Sequence, residues 1–564
     1  MMNQRVTRVL AAILCLMLCI GAAGCAQQPA AADRTQTPAA SDPAQSAAAA
    51  ATDAPQQAEP EMEGNLYLTG LPIVKETTTY SVMVSKSTLD KTASFADKQI
   101  LKDAQAQTNI AFDWMEVPAS GWGDRVNIVF ASGDLPDAIF GNVDVVANSR
   151  ALMELTDGAL AKYMPNVSAF LDENPLVKAK ITAPDGKVYA LPTGEDSSAW
   201  SILSDAYYIN TQWLDQLNLE MPQTTQEFYD VLVAAKNAGD LNGNGAADEI
   251  PFGFAQVGGY PINSLFGAFG IINTAHYNNV EDGKVFFAPA DARYYEALVW
   301  LNSLFNAGVM DLEGFAQTRA QYNGKSLAED PVYFVLSAGT IGNTVASSQL
   351  ENYQHILPLE GPNGDRLTRR SDASSTYNMR NVITVACEEP AGLMRWMDWC
   401  MSDVTMFLNW RQGAENVGWK WVDDAHTKWT RITDEVAPGY NSNDEYRFTE
   451  GFMGETAFVF AFSGIDRDIS TDTMTLRKVE TAQAYAPYFQ QEIIYTDLLQ
   501  SAEVQSQITL LFADIDTYIK YFVAESVTNG IDEAKWQEHL TQLEKLRIDE
   551  YVALYQDMYD RQPK

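Results

Sequence analysis

The stretch GDLNGNGAADEIPF, residues 239–252, sets oxygen-bearing side chains at alternate positions. Counting Asp240 as position one, Asn242 and Asn244 fall at three and five, Gly245 at six, Ala246 at seven and Asp248 at nine. Side-chain oxygens at odd positions, a backbone carbonyl at seven and a glycine at the sharp turn are what Ca²⁺ coordination requires of a loop. The pattern departs at position twelve, where Pro251 stands in place of a bidentate Glu. Glu249, at position ten, is the available substitute. The same residue types also build an Asx-rich turn that holds no metal. If an ion binds, every donor comes from one short loop tying a helix end to a strand, so its role is structural rather than catalytic.

Other reactive constellations are missing. The four histidines, His276, His355, His426 and His539, have no second His or Cys at zinc-ligand spacing. No nucleophile elbow, Walker loop or H-E-x-x-H occurs. Among 74 acidic residues any glycosidase-like pair can be drawn, so none is informative. The excess of acids over 38 basic residues, a net charge of −36, argues against non-specific binding to nucleic acid or anionic lipid.

Arg5 and Arg8 precede the apolar run VLAAILCLMLCIGAA, and AAGC ends at Cys25. A positive start, an apolar run and small residues before cysteine predict an exported lipoprotein whose signal peptide, with its lipobox, spans residues 1–25 and is cut before Cys25, which is lipidated and becomes the mature N-terminus. Ala22 stands where such motifs more often have Leu, and an ordinary signal peptide cut nearby is the other reading. Residues 26–62 are Ala, Pro, Gln and Ser with almost no large apolar side chain, a composition that predicts a disordered stalk. Cys15 and Cys19 leave with the leader, so only Cys387 and Cys400 remain in the folded part. Outside the cytoplasm they can pair, or stay as two buried thiols.

The elements around the loop follow from periodicity. TTTYSVMVSK suits a buried strand, ADKQILKDAQAQTN a helix, IAFDWMEV a strand, WGDRVNIVFASGD a helix and LPDAIFG a strand end. This alternation predicts an open α/β sheet, and a second one starts near KVYALPTG. Asn210 is placed to cap a helix with Trp213, Leu214 and Leu217 on one face. Thr224 and Glu227 form a capping box for TTQEFYDVLVAAKNA, which runs into the metal-type loop. Gly308 closes another helix, and EEPAGLMRWMDWCMSD supplies a third. The last eighty or so residues read as helices throughout. With 24 Phe, 25 Tyr and 12 Trp, most aromatics belong to large cores, Trp122 included.

Taken in order, LPIVKETTTYSVMV, SGDLPDAIFG, LAKYMPNV, DGKVYALPTG, YYINTQWLDQLNLEMPQTTQEFYDVL, GDLNGNGAADEIPFGF, ILPLEGPNGDR, GAENVGWKWV and KWQEHLTQLEKLRIDEYVALYQDMYD run from about residue 70 to the end. In this order they resemble the family 1 extracellular solute-binding proteins of ABC importers, near the alginate oligosaccharide-binding branch. The resemblance implies an α/β, two-lobed periplasmic-binding-protein-like body over 63–564 with a helical C-terminal extension. It implies capture of an oligosaccharide by lobe closure and delivery to ABC permease subunits, without catalysis. It also implies a monomer held at the extracytoplasmic face of the cell membrane by its lipid alone, with no nucleic-acid partner. In the alginate-binding relatives this loop holds structural calcium, which carries over to Asp240, Asn242, Asn244, the Ala246 carbonyl, Asp248 and Glu249. No motif fixes the ligand contacts. A sugar site needs aromatic faces and planar polar groups, and GEDSSAW, RRSDASSTYN and GWKW offer Asp196, Trp200, Arg370, Asp372 and Trp419. For each of these residues a packing role is an equal expectation. In GAENVGWKWV, Asn416 and Trp419 stand where relatives tend to have Gly and Tyr, which points to a different ligand. A peptide or other small polar solute in the same cleft, or a lipid-anchored carbohydrate-active enzyme, are the competing readings.

Overall fold

The computed structural model describes residues 61–195, 203, 205–371, 377–432, 436–452, 459–460 and 465–563. The first lobe is built on the alternation expected from sequence. Strand Thr78–Lys86 runs parallel to Ile110–Pro118 over its whole length and parallel to Ala138–Phe140 on its other side. Helices Gln99–Thr108 and Trp122–Ser132 make the crossovers. Helices on both faces bury both faces of the strand. Val82 and Val84 join one core with Leu101, Phe140 and Trp396, while Met83 joins another with Val126, Val129 and Ile139. Tyr377–Ile383 and Ala190–Glu195 extend this sheet antiparallel, and Val459–Phe460 completes six strands.

The second lobe has a four-stranded sheet in the order Tyr353–Ile356, Ala206–Asn210, Tyr333–Ala338, Ile250–Gly253. Its caps are those expected. Asn210 accepts from the Trp213 amide at the start of helix Thr211–Leu217, and Thr224 and Glu227 complete their reciprocal box on helix Thr225–Ala238. Gly308, at φ 68°, takes the left-handed turn that ends helix Ala292–Ala307. The C-terminal helices Ala502–Asn529, Glu533–Lys545 and Ile548–Arg561 share this lobe's core through Ile515, Ile519, Trp536, Tyr551 and Tyr555. The end of the chain is not helical throughout. Helix Thr473–Tyr485 passes into one 3₁₀ turn around Pro487, Ala486–Tyr488, and no further helix forms until Ser501 caps the next one. Proline lacks the amide a helix interior needs.

The chain passes from the first sheet at Ala190–Glu195 to the second at Ala206–Asn210, returns between Tyr353–Ile356 and Tyr377–Ile383, and crosses again before helix Thr473–Tyr485. The connecting segments pair with each other and with the stretch after that helix. Leu203 lies opposite Arg370 and Thr368 opposite Phe489, with the Thr368 amide donating to the Tyr488 carbonyl at 2.8 Å. Cys387 and Cys400 are free buried thiols in the first-lobe core, so the disulfide alternative falls away. Trp122 packs as expected, its indole donating to the Asn142 carbonyl at 2.7 Å.

Two buried ionisable groups test this architecture. Lys98 and Asp90, side chains 1% and 3% exposed, pair at 2.9 Å. The ammonium also donates to the carbonyls of Phe448, Thr449 and Gly451 at the end of helix Asn443–Glu450. Lys98→Met strands Asp90 as an uncompensated charge and is expected to cost about 3–5 kcal/mol in urea unfolding. A loss below about 1 kcal/mol, the worth of an exposed pair, would refute this.

His539 lies face to face with Phe522 at 3.7 Å, with Nε2 donating to the Pro289 carbonyl and Nδ1 meeting the Tyr518 hydroxyl. Burial holds its pKa down to about 4. The unfolded chain therefore binds this proton first, and stability rises with pH between about 4 and 6.5. Acidification through that window should remove up to about 3 kcal/mol. Denaturation midpoints measured against pH should show a shallower slope in His539→Gln; an unchanged slope would exclude His539 as the source.

Candidate functional site

The Asp/Asn/Gly loop joins helix Thr225–Ala238 to strand Ile250–Gly253. Gly239, Gly243 and Gly245 all take positive φ, from 77° to 89°, which lets the chain wrap inward. Asp240 then gathers the loop's amides. Oδ1 accepts from Gly243 at 2.7 Å and Asn244 at 3.1 Å, and Oδ2 accepts from Gly245 at 2.8 Å. Asn242 Oδ1 accepts from the Asn244 amide and Asn244 Oδ1 from the Ala246 amide. Asn244 Nδ2 leans on Asp248 at 3.3 Å. Glu249, the substitute named from sequence, folds back so that Oε1 accepts the Leu241 and Asn242 amides at 2.6 and 2.7 Å.

The other oxygen, Glu249 Oε2, is buried and meets no donor among the described residues. A buried carboxylate oxygen without a donor costs more than a neutral group would, and a cation removes that cost. The residues therefore fit calcium. Among the described residues no group of three or more His, Cys, Asp or Glu converges on a point. Any coordination must draw on the carboxamides of Asn242 and Asn244 and the Ala246 carbonyl as well as on the acids.

A cavity of ≈ 500 Å³ lies against the connecting segments. Its walls are the stretch 270–276 and strand Asn278–Glu281 with Asp282, the segment 367–371 and the segment 490–497, together with Tyr555. Asn278 is 5% exposed, yet neither its Oδ1 nor its Nδ2 has a partner among the described residues. Leaving such a buried polar group unpaired costs about 1–3 kcal/mol. His276 Nδ1 is likewise unpartnered, and its ring sits between Phe512 and Tyr555 at 5.2 and 5.7 Å. Burial, with a smaller effect of the Arg369 guanidinium, pushes the His276 pKa down and keeps the imidazole neutral. Asp497 on the rim pairs at 3.0 Å with Lys180 of the first-lobe helix Pro175–Ile181, so this wall is tied to both lobes.

The sequence-predicted ligand residues distribute unevenly. Arg370 is half-buried and lines the cavity. Asp196, Trp200 and Asp372 lie outside the described residues. Trp419 is corrected to a packing residue. It is fully buried, its indole donates to Asn409 Oδ1 at 3.0 Å, and Phe407, Leu408, Trp421 and Trp429 surround it. Both faces that could have met a sugar are covered by protein. Sequence reasoning missed His276, Asn278 and Arg369. His276 sits in the turn before the hairpin and Asn278 at its start, and no spacing signal marks either position.

No protein-family model matches the chain. It is 30% identical over 482 residues, 82% of its length and 87% of the relative's, to the fructooligosaccharide ABC transporter substrate-binding protein FusA of Streptococcus pneumoniae. The structure of FusA in complex with kestose superposes with a TM-score of 0.66 at 27% identity, covering 86% of this chain and 99% of that one. A FusA variant described as an EF-hand mutant, in complex with fructo-nystose, gives the same score. An HMO-binding ABC-transporter-associated solute-binding protein from Bifidobacterium longum infantis shares the fold at a TM-score of 0.74 and 20% identity, covering 86% of this chain and all of that one. The alginate-binding protein AlgQ2 shares it at 0.55 and 18%, covering 86% of this chain and 99% of that one.

Proposed function

The chain belongs to the extracellular solute-binding proteins of ABC importers, and from that premise we infer that it captures an oligosaccharide and hands it intact to a permease. The observation that carries this is the likeness to FusA over 87% of that protein's length. Affinity comes from closure of the lobes, because a ligand favours the closed form only as far as it binds that form better than the open one. Arg370, on a connecting segment, is positioned to take part, and Asp196, Trp200 and Asp372 flank the same crossings in sequence. The ligand leaves unchanged, since nothing in the mechanism calls for a nucleophile or a general acid.

The rest of the reading follows the chain. Cys25 carries the lipid, residues 26–62 form the stalk and residues 63–564 the body, held at the extracytoplasmic face as a monomer. Among the described residues no helix is long and apolar enough to cross a membrane. The loop at Asp240, Asn242, Asn244, Ala246, Asp248 and Glu249 holds Ca²⁺, whose charge neutralises the buried Glu249 oxygen. In that role the ion braces the joint between helix Thr225–Ala238 and strand Ile250–Gly253.

Two measurements test this. A thermal-shift panel of kestose, nystose, galacturonate oligosaccharides and peptides should show a raised midpoint with one sugar class. A hundredfold excess over Kd adds roughly 2.7 kcal/mol, and the sugar should be recovered whole. A shift with peptides alone, or a cleaved glycan, would overturn the reading in favour of a different solute or an enzyme. Separately, chelator should lower the midpoint of the unliganded protein, and Asp240→Ala should lower it to the same level and abolish the chelator effect. A midpoint indifferent to chelator would remove the ion from the account.

A further inference from the structure

We propose that residues 495–500 form a clasp between the lobes, in which the ion pair Asp497–Lys180 holds the closed arrangement and so helps to set ligand affinity. Lys180 acts there as a positioning residue, away from the cavity. The inference rests on the reading that lobe closure captures an oligosaccharide.

The stretch is pinned to the second lobe at both its ends. The Tyr495 amide donates to Gln562 Oε1 at 3.1 Å, and Gln562 Nε2 donates back to the Ile493 carbonyl at 2.9 Å. At the far end Arg561 donates to Gln500 Oε1 at 2.6 Å. Just upstream, Glu492 accepts from the Tyr559 hydroxyl, and Ile494 packs on the second-lobe core. Tyr559, Arg561 and Gln562 lie on helix Ile548–Arg561 or directly after it. Between the pins the chain turns to the first lobe. Asp497 Oδ2 meets Lys180 Nζ at 3.0 Å, and Leu499 packs against the core that holds Met83, Trp122 and Val382. Lys180 stands in the last turn of helix Pro175–Ile181 with its side chain 7% exposed, whereas that of Asp497 is 48% exposed. Two residues carried by one lobe are thus seated on the other.

Thr496 and Asp497 also line the cavity beside the crossings, while Lys180 does not. The pair therefore spans the lobes on the cavity side of the crossings. A contact on that side forms as the lobes approach and breaks as they part, so it favours the closed form alone. A ligand that binds the closed form gains apparent affinity from whatever raises that form's population. With one partner half-exposed, the pair is open to screening by salt. Binding of an uncharged sugar then acquires a dependence on ionic strength that no contact with the sugar itself supplies.

The test has two arms, both on the full chain. A zero-length carbodiimide cross-linker joins an amine to a carboxylate only where the two touch. Peptide mass spectrometry should find Lys180 joined to Asp497, in higher yield when kestose or nystose is bound. Calorimetry with kestose, nystose and a galacturonate oligosaccharide compares wild type with Lys180→Met, Asp497→Asn, Asp497→Glu and the double variant Lys180→Met/Asp497→Asn. Each neutral single change should weaken binding about three- to fivefold, and the double change no further. Asp497→Glu, which keeps the charge, should stay near wild type. Wild-type affinity for kestose or nystose should fall as salt rises from about 0.05 to about 0.5 M, while Asp497→Asn stays level. No cross-link with or without sugar, or a yield that sugar does not raise, overturns the clasp. So does wild-type affinity in Lys180→Met. Weakening in Asp497→Asn alone overturns it by making Asp497 a sugar contact. Failure of wild type to bind any of the three sugars defeats the oligosaccharide reading instead, and the cross-link then decides the clasp by itself.

Discussion

Everything in this molecule hangs on how backbone crosses between two sheets that are each covered on both faces. A strand inside such a sheet has its amides and carbonyls paired by neighbours; a segment leaving it does not. Here the leaving segments pair with one another, Leu203 against Arg370 and Thr368 against Phe489. That ribbon lets the lobes be separate cores yet one chain. The cavity lies beside it, lined by residues 367 and 369–371 of one crossing and by residues 490–494.

The polar interior divides into groups that are satisfied and groups that are not. Lys98 has Asp90 and three carbonyls; His539 has a hydroxyl, a carbonyl and aromatic neighbours on its ring. These hold elements together. Glu249 Oε2 and the Asn278 amide lack partners among the described residues. A buried polar group without a partner is destabilising on its own.

Much of the fold was legible because local chemistry and tertiary demand agreed. The capping pair Thr224 and Glu227, the Asn210 cap and the Gly308 stop mark helix boundaries through bonds made within a few residues of each other. The two-faced burial at the centre of Thr78–Lys86 shows in the consecutive apolar residues Val82, Met83 and Val84. The metal-type loop was readable for the same reason, as all its donors lie within ten residues. Trp419 went the other way. Exposed sugar platform and buried packing residue look alike in sequence, and its placement depended on Phe407, Leu408 and Trp429, none of which its own segment announces. The stretch 490–500 forms no helix, and its start is tied to Thr368 by the bridge at Phe489 and by the Gln490 amide donating to the Thr368 carbonyl.

By itself, then, the sequence determined the α/β class, the caps, the inward-wrapping loop and, through stretches in family order, the kind of protein. Each of these is set by residues close in the chain or by their linear order. Only the tertiary structure decided that Cys387 and Cys400 stay apart, that Trp419 is core, and that His276, Asn278 and Arg369 meet around one cavity. Residues 276 and 369 are brought together by the crossing of the chain between lobes, and no local periodicity encodes a contact made across such a distance.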